Sequence, residues 1–131
     1  MQQASSYNRR PNVADPPRLV EAWALTEASR RLVLGARGTS EEFRDALMLN
    51  QRLWSIFQSA LSEKDCQIPQ EIRRNVLTLS VVLDKQILHR LADLDGSKIQ
   101  PILDINRAIA EGLRDHQAIA GPVPARANLS I

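Results

Sequence analysis

Cysteine occurs once, at Cys66, in a chain of 131 residues. A lone thiol excludes an intramolecular disulfide and leaves no CxxC pair for zinc or redox chemistry. The two histidines, His89 and His116, stand far apart without an HxxxH partner, so metal ligation and imidazole catalysis have no spacing to start from. Gly35 and Gly38 have neither the spacing nor the lysine of a phosphate-binding loop. No run of roughly eighteen apolar residues offers a membrane span, and residues 1–10 are polar with no apolar signal core, so a cytoplasmic protein is expected. Charge of one sign is also lacking. The formal net charge is +2, with Arg and Lys dispersed among Asp and Glu, which weakens a nucleic-acid reading. Nothing here calls for a cofactor, and no enzyme chemistry is expected.

What is present is helical periodicity. A hydrophobic share of 44 % suffices for one domain with one core. The longest pattern covers residues 69–94, opened by Pro69. Ile72, Val76, Leu79, Leu83, Ile87 and Leu94 fall on one stripe, and Leu77, Val81 and Leu88 on a second. Arg74, Thr78, Lys85 and His89 fill the remaining arc. Two stripes ask for two sets of neighbours, so this segment is expected to be the central helix. Asp84 lies between the stripes, where a salt bridge to an arginine of a neighbouring helix would satisfy it.

Residues 1–15 have little to bury and read as a flexible arm. Asp15 and the prolines after it signal a first helix over about residues 17–34. Ala22, Leu25, Ala28, Ser29 and Leu32 form a small-residue face that admits a close neighbour. Leu19, Trp23, Val33 and Leu34 point elsewhere. If the small face packs inward, Trp23 beside Leu19 is an interaction anchor near the surface; the alternative puts Trp23 in the core and Leu25 outside. Thr39 with Glu42 fits a capping box that starts a second helix. Phe43, Ala46, Leu47, Leu53, Trp54, Phe57 and Leu61 share its best core arc, which carries most of the aromatic mass. Asp95, Gly96 and Ser97 break the long helix, with Ser97 the candidate cap of the next. There Ile99, Ile102, Ile105, Ile109 and Leu113 trace an arc to about Asp115. A helical domain over residues 16–117 and a disordered tail over 118–131 complete the reading, an all-α bundle of about four helices.

Asn50 and Asn106 sit deep in apolar arcs. An amide buried without partners costs on the order of 1–3 kcal/mol, so each must bond to a helix end, a loop carbonyl or the other. Such residues fix helix register.

Pro17-Arg18 with Glu21, Asn50-Gln51-Arg52-Leu53-Trp54, Ile68-Pro69 with Ile72-Arg73, and Asp104-Ile105-Asn106-Arg107 followed by Ile109 and Gly112-Leu113 form an ordered set of elements. In these the chain resembles the FlaF family of flagellar regulators from about Tyr7 to Leu113. Gln51 stands where a basic residue is common, and Ile68 where Leu is usual. The resemblance implies a small non-enzymatic cytosolic factor needed for flagellin production and export. It implies flagellin as partner, FlbT as a further one, and no membrane. Flagellin's terminal segments form amphipathic helices, and an export factor would cover their apolar face. The rival implication, control of flagellin mRNA alone or with FlbT, needs a basic face with stacking aromatics, whereas the aromatics here lie mainly on the core arc.

Overall fold

The computed structural model describes residues 17–64, 66 and 68–120, and side chains over 21–64, 66 and 68–115. Four helices run through them: α1 (Pro17–Ala36), α2 (Ser40–Leu61), α3 (Gln70–Asp93) and α4 (Gln100–Ala120), with a 3₁₀ turn (Gly96–Lys98) before the last. Short connections make sequential neighbours antiparallel, and α4 closes the ring onto α1. No strand occurs among the described residues.

Local chemistry sets the helix ends. The Thr39 hydroxyl accepts from the Glu42 amide (3.1 Å) while the Glu42 carboxylate accepts from the Thr39 amide (2.9 Å), the expected capping box. Pro69 occupies the N-cap of α3, where its missing N–H is no loss. At the other end Leu94 adopts the left-handed conformation (φ 51°), its amide donating to the Arg90 carbonyl at 2.7 Å. Ser97 does not cap α4. Asp95 caps the 3₁₀ turn instead, its carboxylate accepting from the Ser97 amide at 3.0 Å and from the Ser97 hydroxyl. Two helices run past their expected ends: α1 continues through Gly35 to Ala36, and α4 reaches Ala120. Gly35 stays helical because α2 passes so near that a Cβ there would lie 2.9 Å from the Glu42 carbonyl oxygen and 3.1 Å from Ala46 Cβ.

The core is built mainly by α1, α2 and α4, which corrects the expectation that the 69–94 helix organises the bundle. Ala22, Leu25, Ala28 and Leu32 of α1 are all buried, as the small-residue face predicts, and α1 packs most extensively, against α4 and α2. Helix α3 lies diagonally across from α1 and leans on α2 and α4. Its first stripe enters the core through Val76, Leu83 and Ile87. Its second stripe does not: Val81 and Leu88 are 52 % and 56 % exposed, and only Leu77 is partly buried. With α1 on the diagonal, no helix among the described residues is left to cover that side. Asp84 meets no arginine; it accepts from Gln58 Nε2 of α2 at 3.0 Å, and the same amide nitrogen donates to Ser80 Oγ at 2.9 Å.

Candidate functional site

Asn50 and Asn106 are fully buried and bonded to each other, Asn106 Nδ2 donating to Asn50 Oδ1 at 2.8 Å. Every side-chain polar atom of the pair has a partner. Asn50 Nδ2 donates to the Ala28 carbonyl of α1 (3.1 Å) and the Ala46 carbonyl (2.9 Å). Asn106 Nδ2 also reaches Ser29 Oγ of α1 (3.1 Å), and its Oδ1 accepts the Trp54 indole N–H at 2.8 Å. The two amides and the indole thus clasp α1, α2 and α4 through one buried hydrogen-bond network. Arg114 adds a bond to the Thr26 hydroxyl at 2.6 Å between α4 and α1. Trp54 is fully buried and Phe57 partly so, their rings edge to face at 5.6 Å.

A second charged knot lies at the foot of α3. The Arg90 guanidinium, nearly buried, grips both carboxylate oxygens of Asp93 (3.1 and 2.9 Å) and donates to the Lys98 carbonyl at 3.2 Å. Arg90, with the Asp95 amide, holds the Asp93 carboxyl below its ordinary value. Among the described residues no group of three His, Cys, Asp or Glu is placed to hold a metal, and no helix is long and apolar enough to cross a membrane.

The remaining feature is an open furrow of about 650 Å³ between the outer sides of α1 and α2. Leu34, Met48 and Leu49 form its apolar floor, with Arg31, Arg52, Glu42 and Asp45 along the rims. The Asn50–Ala28 bond and the Gly35–Ala46 approach fix the antiparallel register of the two helices, which sets Trp23 level with Ile56 further along. Between these two apolar ends runs a belt in which Glu27 pairs with Arg30 and with Arg31. Arg30, then Arg31, holds the Glu27 carboxyl below its ordinary value.

Of the four residues expected on the open face of α1, Trp23 is half-buried, Leu34 is 52 % exposed, and Val33 leans against the core. The Leu19 side chain lies outside the described residues, as do those of Pro17, Arg18 and His116. The other motif residues divide sharply. Asn50, Trp54 and Asn106 form the clasp, and Leu53 is partly buried against the core. Arg52 lines the furrow, Asp104 and Arg107 make an exposed pair at 3.6 Å, and Glu21 and Gly112 are half-buried. Arg73 reaches the Leu61 carbonyl at 3.5 Å while its buried Nε has no hydrogen-bond partner among the described residues. Sequence reasoning missed Met48, Leu49 and Ile56 as surface residues. Their signal was available, since they fall on the side of α2 opposite the aromatic arc.

These features define the class: a small all-α bundle protein whose core is clasped by hydrogen-bonded amides. The family model described as flagellar protein FlaF matches residues 3–113, and the chain belongs to the FlaF family. Membership gives it a general regulatory role in the flagellar system rather than an enzymatic one. No curated protein and no solved structure matches the chain.

Proposed function

We propose that the protein binds flagellin in the cytoplasm as an export chaperone, holding an amphipathic flagellin helix along the furrow between α1 and α2. One observation carries this reading: exposed Leu34 of α1 lines the furrow together with Met48 and Leu49 of α2, and partly exposed Trp23 and exposed Ile56 lie further along the same two helices. Trp23 and Leu34 are eleven positions apart, about 16 Å along a helix, which matches anchors three turns apart on a bound helix. Val33 packs against the core and does not line the furrow. The belt of Glu27, Arg31 and Arg52 between the anchors sets register through charge. FlbT enters as a second protein acting on the same client.

The test is co-purification of flagellin with the full chain, with and without nuclease, followed by calorimetry on Trp23→Ala and Leu34→Ser. Retention after nuclease is expected, and truncating the Trp23 anchor should weaken binding about thirtyfold, or about 2 kcal/mol. Loss of flagellin on nuclease treatment would favour control through mRNA. Unchanged affinity in both variants would remove the furrow as the binding face.

A further inference from the structure

We propose that the outer face of α3 is a second docking surface, shaped for an amphipathic helix that carries acidic residues along one edge. Val81 and Leu88 recur on the side of α3 turned from the core and are each more than half exposed, with Leu77, partly buried against the core, at the inner edge of the stripe. Among the described residues no helix faces it, because α2 and α4 flank α3 and α1 is diagonal to it.

The two flanks of the stripe differ in charge, and that difference specifies the occupant. On one flank Asp84 is drawn to the α2 seam by Gln58, so its charge is already engaged. On the other, Arg74 and Lys85 are exposed and make no ion pair among the described residues, with exposed His89 beyond them. An apolar centre rimmed on one side by unpaired cations complements a helix with an apolar stripe and an acidic edge. A second copy of this chain fits poorly. An antiparallel two-fold pairing of α3 with itself would set Lys85 against Lys85 along one edge and Asp84 against Asp84 along the other. The surface is independent of the furrow between α1 and α2, so one molecule can hold two helices at once.

Two synthetic helical peptides test this on the full chain. They share one leucine stripe at i, i+4, i+7 and i+11, and differ in bearing glutamates or lysines along the flanking edge. By calorimetry the glutamate peptide should bind about tenfold or more tightly than the lysine peptide. Leu88→Ser and Val81→Ser should each weaken it about tenfold, and Lys85→Glu should reverse the preference between the peptides. Leu34→Ser should change nothing, and all these exposed-site variants should melt with the parent chain. Equal binding of the two peptides, or binding of neither, overturns the proposal. So does binding lost on Leu34→Ser but kept on Leu88→Ser, which would seat the peptide in the other furrow. Leu88-dependent self-association in sedimentation would make a second copy the occupant and overturn it equally.

Discussion

Replacing Asn106 by Leu tests the clasp directly, because the two side chains share the same branching and Leu removes every hydrogen bond. The substitution removes the acceptor of the Trp54 indole N–H and the donor to Asn50 Oδ1, both 2.8 Å contacts. Trp54 and Asn50 are fully buried, so neither orphaned group can turn to water. Ser29 is only partly buried, so its hydroxyl can. Two buried orphans at about 1–3 kcal/mol each, less about 1–2 kcal/mol regained by burying an apolar side chain, leave a net loss of about 1–4 kcal/mol. That is a large fraction of the roughly 5–15 kcal/mol that holds a domain together. Urea denaturation followed by far-UV circular dichroism should show a lower midpoint with an unchanged slope. A second substitution separates the orphan cost from packing. Trp54→Phe removes the stranded donor, so it should cost less in the Asn106→Leu background than in the parent chain, with a coupling of about 1 kcal/mol or more. Additivity within about 0.5 kcal/mol, or a single-variant loss below about 1 kcal/mol, would refute the clasp as an energetic unit.

Gly35→Ala should destabilise by about 1–3 kcal/mol, read by the same denaturation, because the new methyl would lie 2.9 Å from the Glu42 carbonyl oxygen and force α1 from α2. Trp54→Ala should cost about 3–5 kcal/mol, since the indole is fully buried. The Asp93 and Asp95 carboxyls both titrate below their ordinary value of 3.8, Asp93 through Arg90 and the Asp95 amide, Asp95 through the hydroxyl and amide of Ser97. A depressed folded pKa gives stability that is present above the unfolded value and lost as the pH falls through the folded one. The melting temperature should therefore drop below about pH 4, with a shallower acid slope in Asp93→Asn.

The buried half of this molecule is legible in the sequence because it rests on local rules. Thr39 with Glu42 announces the start of α2, and the arc of Phe43, Leu47 and Trp54 announces its inner face. Asn50 and Asn106 announce themselves as buried amides in need of partners, and each proves to be a partner of the other. Helix α3 shows where such reasoning stops. Periodicity counts its apolar stripes but does not say which one is covered, since coverage depends on where the other helices stand. Val81 and Leu88 look like core residues in a helical projection, and are exposed because α1 stands on the diagonal. Asp84 was given an arginine on grounds of charge, yet the side chain at its level across the α2 seam is Gln58, whose neutral amide suffices for a carboxylate that is only half-buried. The furrow was hidden for the same reason: Met48, Leu49 and Ile56 lie off the core arc of α2, and only the packing angle with α1 turns them into a surface shared with Leu34.

The elements that mark the family therefore answer two different demands. In the Asn50–Trp54 element, Asn50 and Trp54 turn inward to the clasp while Arg52 turns outward to the furrow. In the Asp104–Arg107 element, Asn106 turns inward and Ile105 leans against the core. Asp104 and Arg107 face solvent as an ion pair at 3.6 Å, of a kind worth less than about 1 kcal/mol. Folding energetics account for the inward members completely, since each of their polar atoms has a partner and each is buried. They do not account for Arg52: it is exposed and forms no ion pair among the described residues. An arginine held on the rim of an apolar furrow, two residues from an amide that locks the helix beneath it, is positioned more firmly than a free surface side chain. Under the chaperone reading proposed above, its guanidinium fork would pair with a carboxylate on the bound helix, and the clasp would act on binding by holding the helix that presents it.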